Sequence, residues 1–185
     1  MERLSIKTVR DSVIGADAVL ETPFGLKPLV YADYGASGRA SAIVEARLAS
    51  DAALYANPHN EDSATGQAAT GALHQACAAI KRAVGADDGH ALVTTGFGAT
   101  AGIHRLQEIL GLAIPPATRA ALEAAGVDVC ASLGQQRPIV FIGPYEHHSN
   151  ELSWRESLAQ VVRIGLAGDG GIDFEDLEAR LGDPA

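Results

Sequence analysis

The chain has 185 residues, 47% hydrophobic and 20% charged, a composition suited to one globular core, either a whole domain or part of a larger one. Its formal charge of -9 offers no basic stripe to neutralise phosphates, which argues against nucleic acid as a partner. The opening MERLSIKTVRDS is too polar for a signal peptide and no apolar run approaches membrane-span length, so the expectation is a cytoplasmic protein without membrane contact.

Residues 1–28 read as an irregular arm that Val13, Ile14, Val19, Leu20 and Phe24 anchor to a surface. The short extended run Leu29–Ala32 ends in the turn residues Asp33-Tyr34-Gly35-Ala36-Ser37-Gly38. A helix is predicted from about Ala40 to Leu54, then the loop YANPHNED, where Pro58 forbids a helix interior. Ser63 or Thr65 caps a second helix running to Val84, rich in alanine and closed by Gly85. Ala91–Thr95 is predicted as a strand, turning through Gly96–Thr100 into a helix that reaches Leu110. Pro115–Ala125 is another helical stretch, and 126–137 a linker. A buried strand at 138–142 leads into a polar cluster, a short helix near Trp154–Leu158, a strand over Val161–Leu166, and a last helix from Phe174 to Leu181 with Asp173 as N-cap. Strands alternating with helices imply an α/β fold with a mostly parallel sheet.

Three constellations carry the chemistry. The turn Thr94-Thr95-Gly96-Phe97-Gly98-Ala99-Thr100 combines close backbone approach, free N–H groups at a helix start and a hydroxyl donor, which is how a phosphate is cradled. A glycine-rich turn alone is equally an ordinary strand-to-helix connection. It is not a nucleotide P-loop, because the Lys-Ser/Thr pair is missing, and the dinucleotide fingerprint fails on glycine spacing. The cluster Glu146-His147-His148-Ser149-Asn150 follows an apolar strand, the place where open α/β sheets bind ligands. One imidazole is read as functional, stacking on a flat ring or moving protons, and the other as structural. A shared metal ion is the rival reading, disfavoured because adjacent side chains diverge in an extended chain. The loop Asn57-Pro58-His59-Asn60-Glu61-Asp62 is a lid or a solvated connection, the second being commoner for such composition. Cys77 and Cys130 form neither a metal spacing nor a disulfide framework.

Taken in order, these pieces resemble the class V aminotransferase family of pyridoxal-phosphate enzymes, which includes cysteine desulfurases and selenocysteine lyases. The resemblance rests on Tyr31–Arg39, on Ala56-Asn57-Pro58-His59, on Gly98-Ala99-Thr100, on Glu146–Asn150 with Trp154, and on Gly170-Gly171-Ile172-Asp173 followed by Leu177. It implies a fold type I large domain, incomplete here, with 1–38 an arm and extended segment and 39–185 the N-terminal portion of the cofactor domain. It implies pyridoxal 5'-phosphate as cofactor, held through Gly98, Ala99 and Thr100 at its phosphate and by His147 stacked on its ring. His147 is then also the catalytic residue, while Asn57, His59 and Asn150 lie at the mouth of the site. An amino-acid substrate and a homodimer follow from the same resemblance, with transamination or desulfurase-type cleavage as the reaction.

The family's Schiff-base lysine has no counterpart among Lys7, Lys27 and Lys81. The resemblance therefore implies the N-terminal part of a larger enzyme, inactive by itself. Its sheet order implies that 91–95 does not pair with 138–142 or 161–166, leaving a gap with unpaired backbone. Two alternatives are a non-catalytic binding or relic module that keeps the cofactor cup, and a metal-dependent hydrolase built on Glu146, His147 and His148.

Overall fold

The computed structural model describes residues 5–182, so residues 1–4 of the expected arm lie outside it. Within that range the protein is mixed α/β, with eight helices and two two-stranded sheets. It divides into two units, one ending at Leu92 and the other beginning at Val93. No described helix is long and apolar enough to cross a membrane.

The arm of the first unit is not irregular, as its mixed polarity suggests, because local capping and turn chemistry order it. Helix α1 (Ile6–Asp11) starts where Ser5 Oγ accepts the Thr8 N–H at 3.0 Å, a standard N-cap. Strands β1 (Val19–Thr22) and β2 (Gly25–Pro28) pair as an antiparallel hairpin across Pro23-Phe24. The Thr22 hydroxyl holds that turn, taking the Phe24 N–H at 3.2 Å and donating to the Gly25 carbonyl at 2.7 Å. The arm is then stitched to helix α2 (Ala42–Ala52): the Ala42 N–H donates to Ser12 O at 2.7 Å, the Ile14 N–H to Ala40 O at 2.9 Å, and the two hydroxyls of Ser12 and Ser41 meet at 2.8 Å. Helix α3 (Ala64–Ala83) is capped by Ser63, whose Oγ accepts the Gly66 N–H. Between α2 and α3 an apolar groove of about 660 Å³ stays open, lined by Leu48, Leu54, Tyr55, Ala68, Ala72 and Leu73.

The second unit is organised by a β–α–β element. Strand β3 (Ile139–Ile142) pairs in parallel with β4 (Gln160–Arg163), in register Ile139 to Gln160 and Ile142 to Arg163. The connecting helix runs over His148–Arg155, not 154–158, because it is capped from within the polar cluster. Ahead of this element come a helix over Gly98–Ile109, a second over Pro116–Ala124 and a third over Val129–Leu133; in chain order these are α4, α5 and α6, and the connector is α7. The last of the three replaces the expected linker at 126–137, since Asp128 Oδ1 caps it by accepting the Ala131 N–H at 2.9 Å. The chain closes with α8 (Phe174–Gly182), whose start is set as the sequence suggests: Asp173 Oδ1 accepts the Asp176 N–H at 3.0 Å.

The core of this unit is small: Leu112, Trp154 and Ala159, with Ile103, Val140, Leu158 and Val161 packed around them. Helix α4 docks on α7 through Gln107, only 2% exposed, whose Nε2 donates to Ser153 Oγ at 3.0 Å. Two arginines fasten the turn from α7 into β4. Arg137 donates to Leu158 O (3.1 Å) and Ala159 O (2.7 Å), and Arg119 to Glu156 O (2.9 Å). Glu151, 7% exposed, receives Arg155 at 2.5 Å and also Arg163 from β4, so the helix and the strand share one buried carboxylate.

Ala91–Thr95, expected as a strand, is extended backbone outside any ladder among the described residues, and every one of its side chains is exposed. The β-branched composition is right for a sheet, but strand propensity is realised only against a neighbouring strand and a packed face. Surface area carries the same message. The chain exposes 14060 Å², against about 8,400 Å² for one compact domain of this size and about 10,000 Å² for two separate halves. The surplus is substantially apolar, with Phe24, Val30, Tyr55, Val84, Phe97 and Phe174 each more than 70% exposed.

Two outcomes test this account. Arg137→Ala strips donors from the carbonyls of Leu158 and of Ala159, which is 2% exposed; urea unfolding is expected to show a loss of about 1–3 kcal/mol, with Arg137→Lys recovering only part because it lacks the planar fork. Asp176 gives a pH signature. Its carboxylate is held below the usual range, first by the Gly165 N–H at 2.7 Å and then by Arg180, against opposing desolvation. A lowered carboxylate pKa stabilises the fold above the unfolded value of about 3.9 and the benefit is lost as pH falls through the lower folded value. Melting temperature followed downward from pH 5 is expected to drop less in Asp176→Asn than in the parent chain.

Candidate functional site

The site residues fall into the two units. Gly98, Ala99, Thr100, His147 and Asn150 belong to the second unit, while Asn57 and His59 belong to the first.

Helix α4 begins without a side-chain cap. Its N-cap is Phe97, and no side chain takes a hydrogen bond at that end. Gly98 sits at φ 62°, a left-handed conformation that costs a residue with a Cβ and is free for glycine. The first-turn amides, including those of Ala99 and Thr100, point away from the helix with no partner in their own turn, and the aligned peptide dipoles favour an anion there. Phe97, the one bulky residue of this turn, is 97% exposed.

His147 stands at the start of α7. Strand β3 ends at Ile142, the turn Gly143–Glu146 follows, and His147 is the N-cap of α7. Its Nδ1 accepts the Ser149 N–H at 3.2 Å and meets the Ser149 hydroxyl at 2.8 Å. With Nδ1 as acceptor, Nε2 is the protonated nitrogen of the neutral ring. The ring itself is exposed, so its face and Nε2 remain available to a ligand. His148 occupies the first position of the helix, with its ring 6.5 Å from that of His147 and tilted by 46°. Among the described residues no three His, Cys, Asp or Glu side chains converge as a metal-ligand set.

Both ends of the Asn150 side-chain amide are engaged. Its Nδ2 donates to Glu146 Oε2 at 2.6 Å and its Oδ1 accepts the Trp154 indole N–H at 3.0 Å. The three residues are spaced by four, one above another along α7 and its cap, a spacing visible in the sequence once a helix is assumed. Glu151 with Arg163 is the pair that sequence alone did not bring out, since nothing local links a helix residue to a strand twelve positions on.

In the first unit the Asn57–Asp62 loop is tied down rather than simply solvated. The His59 N–H donates to the buried Thr70 hydroxyl at 2.9 Å, Gln67 Nε2 donates to Glu61 O at 2.8 Å, and the Asp62 N–H donates to Asn60 Oδ1 at 2.9 Å. His59 adopts φ 68°, the one described non-glycine residue with positive φ. The side chains of Asn57 and His59 are exposed.

Comparisons of the chain with models of known families, with curated proteins and with solved structures find no match. The functional reading therefore stands on the residues themselves: an uncapped helix start bearing a threonine hydroxyl, and an exposed imidazole at the carboxyl side of a parallel strand. These lie on α4 and α7, two helices in mutual contact within one unit.

The capping role of His147 has a measurable cost. His147→Ala removes the acceptor for the Ser149 N–H, and denaturant unfolding is expected to show about 0.5–2 kcal/mol of lost stability. His147→Asn keeps an acceptor at the cap and is expected to restore most of it.

Proposed function

We propose that the second unit forms the phosphate-binding and ring-stacking part of a pyridoxal-phosphate site in a class V aminotransferase-like enzyme of fold type I that acts on an amino acid. Two observations support the reading, the uncapped start of α4 and the exposed His147 ring at the cap of α7, on helices that touch each other within one unit. A helix start with unspent amides and a hydroxyl suits a phosphate dianion, and an exposed imidazole held by its own cap suits a flat heteroaromatic ring. The fit is to the non-covalent contacts of the cofactor. The lysines are on α1, β2 and α3 of the first unit, and no covalent role is assigned to any of them.

In this reading the Ala99 and Thr100 amides and the Thr100 hydroxyl bind the phosphate, while Gly98 allows its close approach. His147 lies against the ring, and its Nε2 is placed to give or take a proton at the ring's edge. Trp154 and Asn150 hold the first turn of α7, so His147 keeps its orientation while ligand enters. Bound cofactor would supply the electron sink for chemistry at the substrate's α-carbon. The metal-dependent alternative has no converging ligand set among the described residues to support it.

Pyridoxamine 5'-phosphate tests this without requiring a lysine, because it has no aldehyde. Equilibrium dialysis against the full chain is expected to give saturable binding. Thr100→Val should weaken it roughly tenfold through loss of a hydrogen bond to a charged group, and His147→Ala roughly three- to tenfold through loss of stacking, with His147→Phe retaining affinity. Binding that ignores both positions, or is absent, sinks the proposal.

A further inference from the structure

The first unit holds a second cavity of different character, about 170 Å³ in volume, lined by Arg10, Val13, Leu29, Tyr31, Tyr34 and Arg39 among others. In a chain with 23 acidic and 14 basic residues, guanidinium groups readily find carboxylates. Arg47 pairs with Asp51, Arg105 with Glu108, Arg155 and Arg163 with Glu151, and Arg180 with Asp176. Arg10 and Arg39 line one cavity, and among the described residues neither pairs with a carboxylate.

Arg39 is fixed in place before any ligand arrives. Its Nη2 donates to Ile14 O at 2.8 Å, and its guanidinium lies over the Tyr31 ring, 5.2 Å from the centroid. Tyr31 is itself anchored, donating from its hydroxyl to Ser37 O at 2.8 Å, with Tyr34 edge-on to it at 5.0 Å. The backbone makes room for the guanidinium at Gly15, where a Cβ would stand 2.5 Å from Nη2. A guanidinium has five N–H donors, and one is spent on the described chain. What remains is a half-buried cation held by stacking, beside a second arginine and the apolar walls Val13, Ala16 and Leu29.

We propose that this cavity binds a small organic monocarboxylate with an apolar or aromatic body. Its carboxylate is received by Arg39 and Arg10, and its body lies against Tyr34, Val13 and Leu29. The volume, about six water-sized spaces, suits a compact aromatic or branched acid. The bidentate match of guanidinium to a planar carboxylate supplies selectivity over a neutral isostere. This site is independent of the pyridoxal-phosphate reading, since it uses only residues of the first unit.

Saturation-transfer NMR on the full chain, in phosphate-free buffer without any pyridoxal compound, tests the inference with sodium benzoate as probe and benzamide as its uncharged counterpart. Benzoate is expected to bind saturably and benzamide about tenfold more weakly or not at all. Arg39→Gln and Arg10→Gln should each weaken benzoate at least about fivefold with the circular dichroism spectrum unchanged. Should Arg39→Gln unfold the arm, the exposed Arg10→Gln still decides the matter. Equal binding of the two probes, no saturable benzoate signal, or complete displacement of benzoate by equimolar inorganic phosphate overturns the proposal, the last outcome marking a plain anion site.

Discussion

Two guanidinium groups reaching the backbone at the end of α7 set much of what the second unit does. Carbonyls at this turn receive no N–H from a strand or helix, and those of Leu158 and Ala159 belong to residues packed in the Trp154 core. Arg137 and Arg119 supply donors from the segment before β3 and from α5. That fixes where β4 begins, and the parallel register with β3 follows from it. The register fixes the carboxyl end of β3, and so where His147 emerges to cap α7. The buried carboxylate of Glu151, shared between helix and strand, closes the same circuit from the other face. A lone buried carboxylate is costly to desolvate, so the two arginines are what make the position of Glu151 tenable.

Legibility followed the range of the interactions involved. Helices with strong local signals were plain in the sequence: Ser63 before α3, Pro115 and Pro116 opening α5, Asp173 before α8. Strand β3 was plain too, because four consecutive apolar β-branched or aromatic residues closed by Gly-Pro have few other readings. The order within the arm was hidden, since it rests on one serine cap and on a threonine hydroxyl bridging a two-residue turn. The start of α7 was placed too late for a related reason. Histidine is not a usual cap, so the polar cluster read as loop when it is the first turn of a helix. That change matters for the candidate site, because it makes Asn150 a brace for Trp154 and leaves His147 with both a capping nitrogen and an open ring face.

Residues 91–95 failed as a strand for the opposite reason. Their composition is correct, but a strand is a relation between segments, and the described chain offers them none. The same shortage runs through the molecule. The open groove between α2 and α3, the isolated parallel pair β3–β4 and the exposed aromatics all describe elements whose apolar faces exceed the core available to cover them. Parallel sheets are ordinarily covered on both faces, so a pair on its own draws its order from the flanking arginine, carboxylate and cap contacts to an unusual degree.

Trp154 is the chain's single tryptophan, and it lies in the second unit with its indole N–H bound to Asn150. Three of the four tyrosines, Tyr31, Tyr34 and Tyr55, lie in the first unit. Indole emission therefore reports selectively on the β–α–β element and the neighbourhood of the imidazole, and phenolic absorbance mainly on the first unit. The molecule carries two built-in optical labels, one for each unit, so loosening in one can be told from loosening in the other without attaching a dye.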